Sequence, residues 1–123
     1  MSASRTLSSG PYTETVDIVR GDRYDRTVQI AIDGVDFAGA EVSIHVRETP
    51  TGPLLYDAGA DALIDTDTEG EMEIVFAIPG ATSAQLPDRC TLDLRFELAS
   101  ADLGPVTVVR LQFRVTDGYV QES

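Results

Sequence analysis

Apolar and polar residues alternate with a period of two along most of this chain, and no long segment repeats at the 3.6-residue period of a helix. Val16 and Ile18 fall on the side opposite Asp17 and Val19, which predicts a short first strand at a sheet edge. In "YDRTVQIAI" (Tyr24 to Ile32), Val28, Ile30 and Ile32 share one face. "EVSIHVRE" puts Val42, Ile44 and Val46 inward, with Ser43, His45 and Arg47 outward. "TPTGP" is a turn by its Pro and Gly content, and "LLYD" after it is a short fourth strand. Asp57 to Gly70 is small and acidic, broken only by Ala62, Leu63 and Ile64, and reads as a loop with at most a brief strand. "EMEIVFAI" buries Met72, Ile74, Phe76 and Ile78 until Pro79 ends it. "GATSAQLPD" allows one helical turn with Leu86 packed beneath. "CTLDLRFEL" then aligns Cys90, Leu92, Leu94, Phe96 and Leu98, and after the turn "ASADLGP" a last strand aligns Val109, Leu111, Phe113 and Val115.

About seven short strands separated by turn signals fit a two-layer antiparallel β-sandwich, with a closed barrel as the alternative. Apolar residues on one face only favour antiparallel pairing, since parallel strands covered on both faces would be apolar throughout. The 123 residues make one domain. Residues 1–14, rich in Ser, Thr and Gly, read as a flexible N-terminal arm, 15–118 as the sandwich and 119–123 as a C-terminal tail.

The charge narrows the partners. Acidic residues number 21 against 9 basic ones, all Arg, giving a formal net charge of -12. A phosphate polyanion would be repelled, so nucleic acid is not expected as a partner, and neither is an anionic membrane surface. The lone Cys90 excludes an internal disulfide. No run approaches a membrane-spanning length, and "MSASRTLSSGPYTE" lacks the apolar core of a signal peptide, so folding in the cytoplasm is expected.

Four features invite a chemical reading. Arg20-Gly21-Asp22 matches an adhesion tripeptide, but Gly and Asp are also the residues a tight hairpin needs, and the turn is the expected role. "DTDTEGE" from Asp65 imitates the opening of an EF-hand calcium loop. Its twelfth position is Phe76 where the bidentate Glu belongs, so an acidic hairpin turn is expected and no metal is assigned. His45, the only imidazole, faces outward beside Ser43, yet no nucleophile-elbow glycines or orienting acid accompany the pair. Cys90 shares its phase with Leu92 and is expected to be a buried apolar residue. No cofactor fingerprint occurs, and the chain is not expected to be an enzyme.

The succession "DIVRGDRYDRTVQI", "DFAGAEVSIHVRE", "IPGATSAQL" and "CTLDL" resembles small phage and prophage structural proteins of the baseplate and tail-fibre type, including the N-terminal domain of upper baseplate proteins. The resemblance runs from about Val16 to Gly118, and Asp88-Arg89-Cys90 stands where that family has Gly-x-Tyr. It implies an immunoglobulin-like sandwich in a virion, in the tail, baseplate, neck or capsid surface, assembled in the bacterial cytoplasm. The implied partners are other virion proteins, in multiple copies within a symmetric assembly, and the implied action is protein–protein assembly. Leu7, Pro11 and Tyr12, the larger apolar residues of the arm, are the expected partner-binding residues. The alternative is a receptor- or glycan-binding module. It would need an exposed aromatic platform, whereas Tyr12, Tyr24, Tyr56 and Tyr119 are scattered and Trp is absent.

Overall fold

Strands form where the alternation runs unbroken and stop where Pro, Gly and Asp cluster. The computed structural model describes residues 3–4 and 11–117. In chain order they form β1 (Ala3–Ser4), β2 (Tyr12–Val19), β3 (Tyr24–Ala31), β4 (Glu41–Arg47), β5 (Leu54–Asp57) and β6 (Leu63–Asp65). There follow β7 (Glu71–Ile78), a single helical turn α1 (Gly80–Ser83), β8 (Arg89–Leu98) and β9 (Leu103–Thr116).

Two sheets stack face to face. One is four-stranded in the order β1-β3-β7-β6, its β1 only two residues long; the other is five-stranded in the order β2-β9-β8-β4-β5. The hairpins β4–β5, β6–β7 and β8–β9 stay within a sheet, and the remaining connections cross between sheets. With β3-β7-β6 facing β9-β8-β4, this is the strand order of an immunoglobulin-like sandwich. Met72, Ile74 and Ile78 from one sheet meet Ile44, Leu92, Leu94, Phe96 and Phe113 from the other, all fully buried on the phases that the alternation assigned to the interior. Leu86, beneath α1, is buried as well.

Four details depart from the expectation. β2 pairs in parallel with β9, from Tyr12 opposite Val109 to Val19 opposite Thr116, and β1 is parallel to β3. Alternation reports which face is covered and carries no information on strand direction, so a half-covered edge strand reads alike in both senses. β2 also begins at Tyr12, inside the stretch assigned to the arm, so the sandwich starts before residue 15. Its inner phase is Tyr12, Glu14, Val16 and Ile18, and Glu14 masks the pattern because a carboxylate there is neutralised by Arg26, 2.7 Å away. β9 starts at Leu103, so Gly104 and Pro105 lie within a strand. Pro is tolerated because β2 reaches only as far back as Val109 and leaves that side of β9 open. Lastly, Phe37, in the connection between β3 and β4 where no alternation marks an inner face, is 1% exposed and packs into the core against Phe96, ring centroids 5.9 Å apart.

Candidate interaction surface

Arg20-Gly21-Asp22 joins β2 in one sheet to β3 in the other, so it is a corner and not a hairpin. Its backbone and the Arg20 side chain are held. Gly21 has φ +96°, a conformation open to glycine and strained for other residues. Its N–H donates to Ser83 Oγ at 2.9 Å, and Ser83, fully buried, donates to the Asp22 carbonyl at 2.7 Å. The Arg20 guanidinium donates to the Leu86 carbonyl, to Asp88 at 2.9 Å and to Asp117 at 2.6 Å. Those carboxylates raise its pKa further above the usual arginine value. The tripeptide therefore fastens the corner to α1 and to the start of β8, which leaves its guanidinium engaged internally.

The outer face of the five-stranded sheet carries Arg47, Arg89, Arg95, Arg110 and Arg114. Acids on neighbouring strands match two of them bidentately: Arg110 with Asp93, and Arg114 with Asp17, each with a shortest contact of 2.7 Å. Both pairs raise the arginine pKa. His45 lies in a shallow groove of about 440 Å³ on this face, lined also by Ser43, Arg47, Arg95 and Glu97. Its Nδ1 faces the Arg47 guanidinium at 3.3 Å. The acids opposite it across the strands are occupied elsewhere, Asp93 by Arg110 and Asp57 by the Gly59 N–H. The groove thus has a polar lining that carries arginines and the carboxylates of Glu41 and Glu97, and among the described residues the side-chain partner of the imidazole is Arg47 and not a carboxylate.

The acidic segment from Asp65 forms the hairpin between β6 and β7. Asp65 Oδ1 accepts the Asp67 N–H at 2.9 Å, an intraloop turn bond, and Gly70 takes φ +80°. Among the described residues no three His, Cys, Asp or Glu side chains converge to hold a metal ion. Cys90 is buried, and that burial, with a smaller effect of nearby Glu48, pushes its thiol up to about 11.

The feature that the alternation did not reveal is a side wall. β5 and β6 each end one of the two sheets, opposite the edges formed by β2 and β1, and a short link pinned by Ala58 N–H to the Ile44 carbonyl carries the chain from one to the other, so these two edges lie on one side of the sandwich. The large exposed apolar side chains among the described residues are Leu63 (71%), Leu54 (47%), Ile64 (42%) and Leu55 (40%), and all four belong to these two strands. Around them lies a segment without a base: from Glu48 to Asp88 the chain holds nine acidic residues and no Lys or Arg. In sequence, Leu63 and Ile64 were visible as an apolar interruption in an acidic loop. Their exposure depends on which strand ends a sheet, and that is a property of topology.

Of the expected partner-binding residues, Leu7 lies outside the described residues, as do 118–123. Pro11 precedes β2 and is half-buried. Tyr12 is a sheet residue: it packs against the core, and its hydroxyl donates to Glu14 Oε1 at 2.9 Å. Searches against protein-family models and curated proteins gave no match to this chain.

Proposed function

We propose that this chain is a non-enzymatic structural component of a phage virion, in the tail, baseplate, neck or capsid surface, acting by protein–protein assembly. The observation that carries the reading is the gathering of the exposed large apolar side chains on two adjacent open edges. An open edge offers unpaired backbone N–H and C=O groups, and isolated soluble domains usually blunt such edges with charge, bulges or cover. Apolar side chains concentrated there favour an edge that is covered by a neighbouring subunit. The resemblance in element order to baseplate and tail-fibre proteins supports the setting. The glycan-binding alternative draws less support: Tyr24 is turned edge-on against Phe113, centroids 5.3 Å apart, and Tyr12 and Tyr56 pack on the core, so these three do not make an exposed stacking platform.

The test is quantitative mass spectrometry of purified particles from cells that make this chain. The expected outcome is co-purification at a fixed ratio to the other particle proteins that survives high salt. Absence from the particles, or specific binding of the isolated domain on a glycan array, would reject the reading.

A further inference from the structure

Within each sheet, outward side chains line up in rows across the strands, and in this protein those rows treat acids in two ways. On the five-stranded sheet, Asp93 lies beside Arg110 and Asp17 beside Arg114, each acid matched by a base on the next strand. On the four-stranded sheet the edge row reads Asp65, Glu73, Gln29 from β6 through β7 to β3. Asp65 and Glu73 are directly opposed, an arrangement that destabilises a strand pair. Gln29 gives its amide to Glu71 at 2.7 Å, and no ion pair among the described residues neutralises either acid of the row. The adjacent row is Leu63, Val75, Thr27, with Leu63 the most exposed of the large apolar side chains; Ile64, between the two rows in sequence, sits on the opposite phase.

We infer that the open edge of β6 is the seat of a basic, extended segment of a partner protein, which adds as a further strand. This rests on the assembly reading and names the chemistry of the partner. Its three central residues must supply an apolar side chain beside Leu63, an apolar side chain on the phase of Ile64, and an Arg or Lys beside Asp65, two residues from the first. Main-chain hydrogen bonds to the edge give affinity, and the side-chain rows give register and specificity. The base converts an opposed acid pair into a row of the kind already present on the other sheet. A second copy of this chain is disfavoured as occupant, because it would bring its own base-free, acidic segment from Glu48 to Asp88 against the same surface.

The test uses the isotope-labelled full chain titrated with the peptide Thr-Thr-Arg-Val-Val-Arg-Thr-Thr, whose central Val-Val has an Arg on each side and so meets the required order in either strand direction, and separately with the same peptide carrying Glu in place of both Arg. The expected result is amide shift changes and slowed exchange centred on residues 63–65 with the Arg peptide, and at least about tenfold weaker binding of the Glu peptide. Asp65→Asn, which keeps an Oδ1 to accept the Asp67 N–H, should weaken the Arg peptide severalfold while raising the melting temperature of the free chain, since it relieves the repulsion opposite Glu73 without removing the turn bond. Ile64→Pro should abolish edge pairing without removing any charge. Equal binding of both peptides, shifts centred on the arginine face, no binding of the Arg peptide up to about 1 mM (a standard free energy of only about 4 kcal/mol), or self-association through β6 would each overturn the proposal. Peptide binding with the chain missing from particles would remove the assembly reading and leave the edge chemistry standing. The reverse result would leave assembly standing and remove the edge.

Discussion

Ser83 shows how one side chain decides whether a suggestive motif is available. Its hydroxyl accepts from Gly21 and donates to Asp22, so Ser83→Ala leaves two backbone groups of a packed corner without partners; the expected loss is about 1–3 kcal/mol in a urea melt. Gly80→Ala belongs to the same corner, since a Cβ there would come within 2.5 Å of the Gly21 carbonyl oxygen, and should destabilise further. Asp22→Glu, by contrast, leaves the backbone carbonyl that Ser83 uses, and the melting temperature should stay within a degree or so. Cys90 gives a chemical readout of the same packing. With its thiol pushed up to about 11, it should resist a maleimide at pH 8 in the folded protein and react within minutes once denaturant is added. Leu94→Asp buries an unpaired charge at a fully buried site and should unfold the domain, whereas His45→Ala trims an outward side chain. Equal melting temperatures for those two variants would mean that the strand phases are wrong.

At the scale of elements, β2 is held to the rest by its parallel pairing with β9 and by one tie across the sandwich. The hydrogen bond from Arg26 to Glu14 holds the Glu14 carboxyl below its ordinary value of 4.5, with the Tyr12 hydroxyl adding to the effect. Because the folded pKa lies below the unfolded one, the stabilisation is complete above the ordinary glutamate range and is lost as pH falls through the folded value. Glu14→Gln should therefore flatten the acid limb of the stability curve while changing the neutral plateau less. Deleting residues 1–14 removes the pairings of Tyr12, Thr13 and Glu14 as well as this tie, so its melting temperature should fall several degrees below that of a chain lacking only 1–10. These elements also mark what was legible in the sequence. β4, β7 and β8 could be read because each alternates strictly and is covered on one face. The start of β2 was hidden because Glu14 is a polar residue on an inner phase. Phe37 was hidden because a core residue in a loop has no period, and the open edges of β5 and β6 were hidden because neighbour relations between sheets leave no trace in local pattern.

For the molecule as a whole, charge is divided as unevenly as exposure. The arginines cluster on the outer face of the five-stranded sheet, while the acid-rich segment wraps the opposite sheet and the β5–β6 side. Raising ionic strength should weaken binding of a basic partner at that side and leave the melting temperature little changed, because on the arginine face the Arg114–Asp17 pair is exposed and worth little while the Arg110–Asp93 pair is part-buried and screened less. The parallel seam between β2 and β9 has a further consequence, a mechanical one. Tyr12 lies beside Val109 and Val19 beside Thr116, so tension applied to the leading end of β2 and the trailing end of β9 pulls the two strands in opposite directions along their length. All rungs of the seam then carry load together, in shear, whereas a hairpin such as β4–β5 pulled at its open end would unzip one rung at a time. In single-molecule stretching, force applied through β2 and β9 should meet a markedly higher rupture peak than force applied through β4 and β5, and shortening the seam by deleting 1–14 should lower that peak.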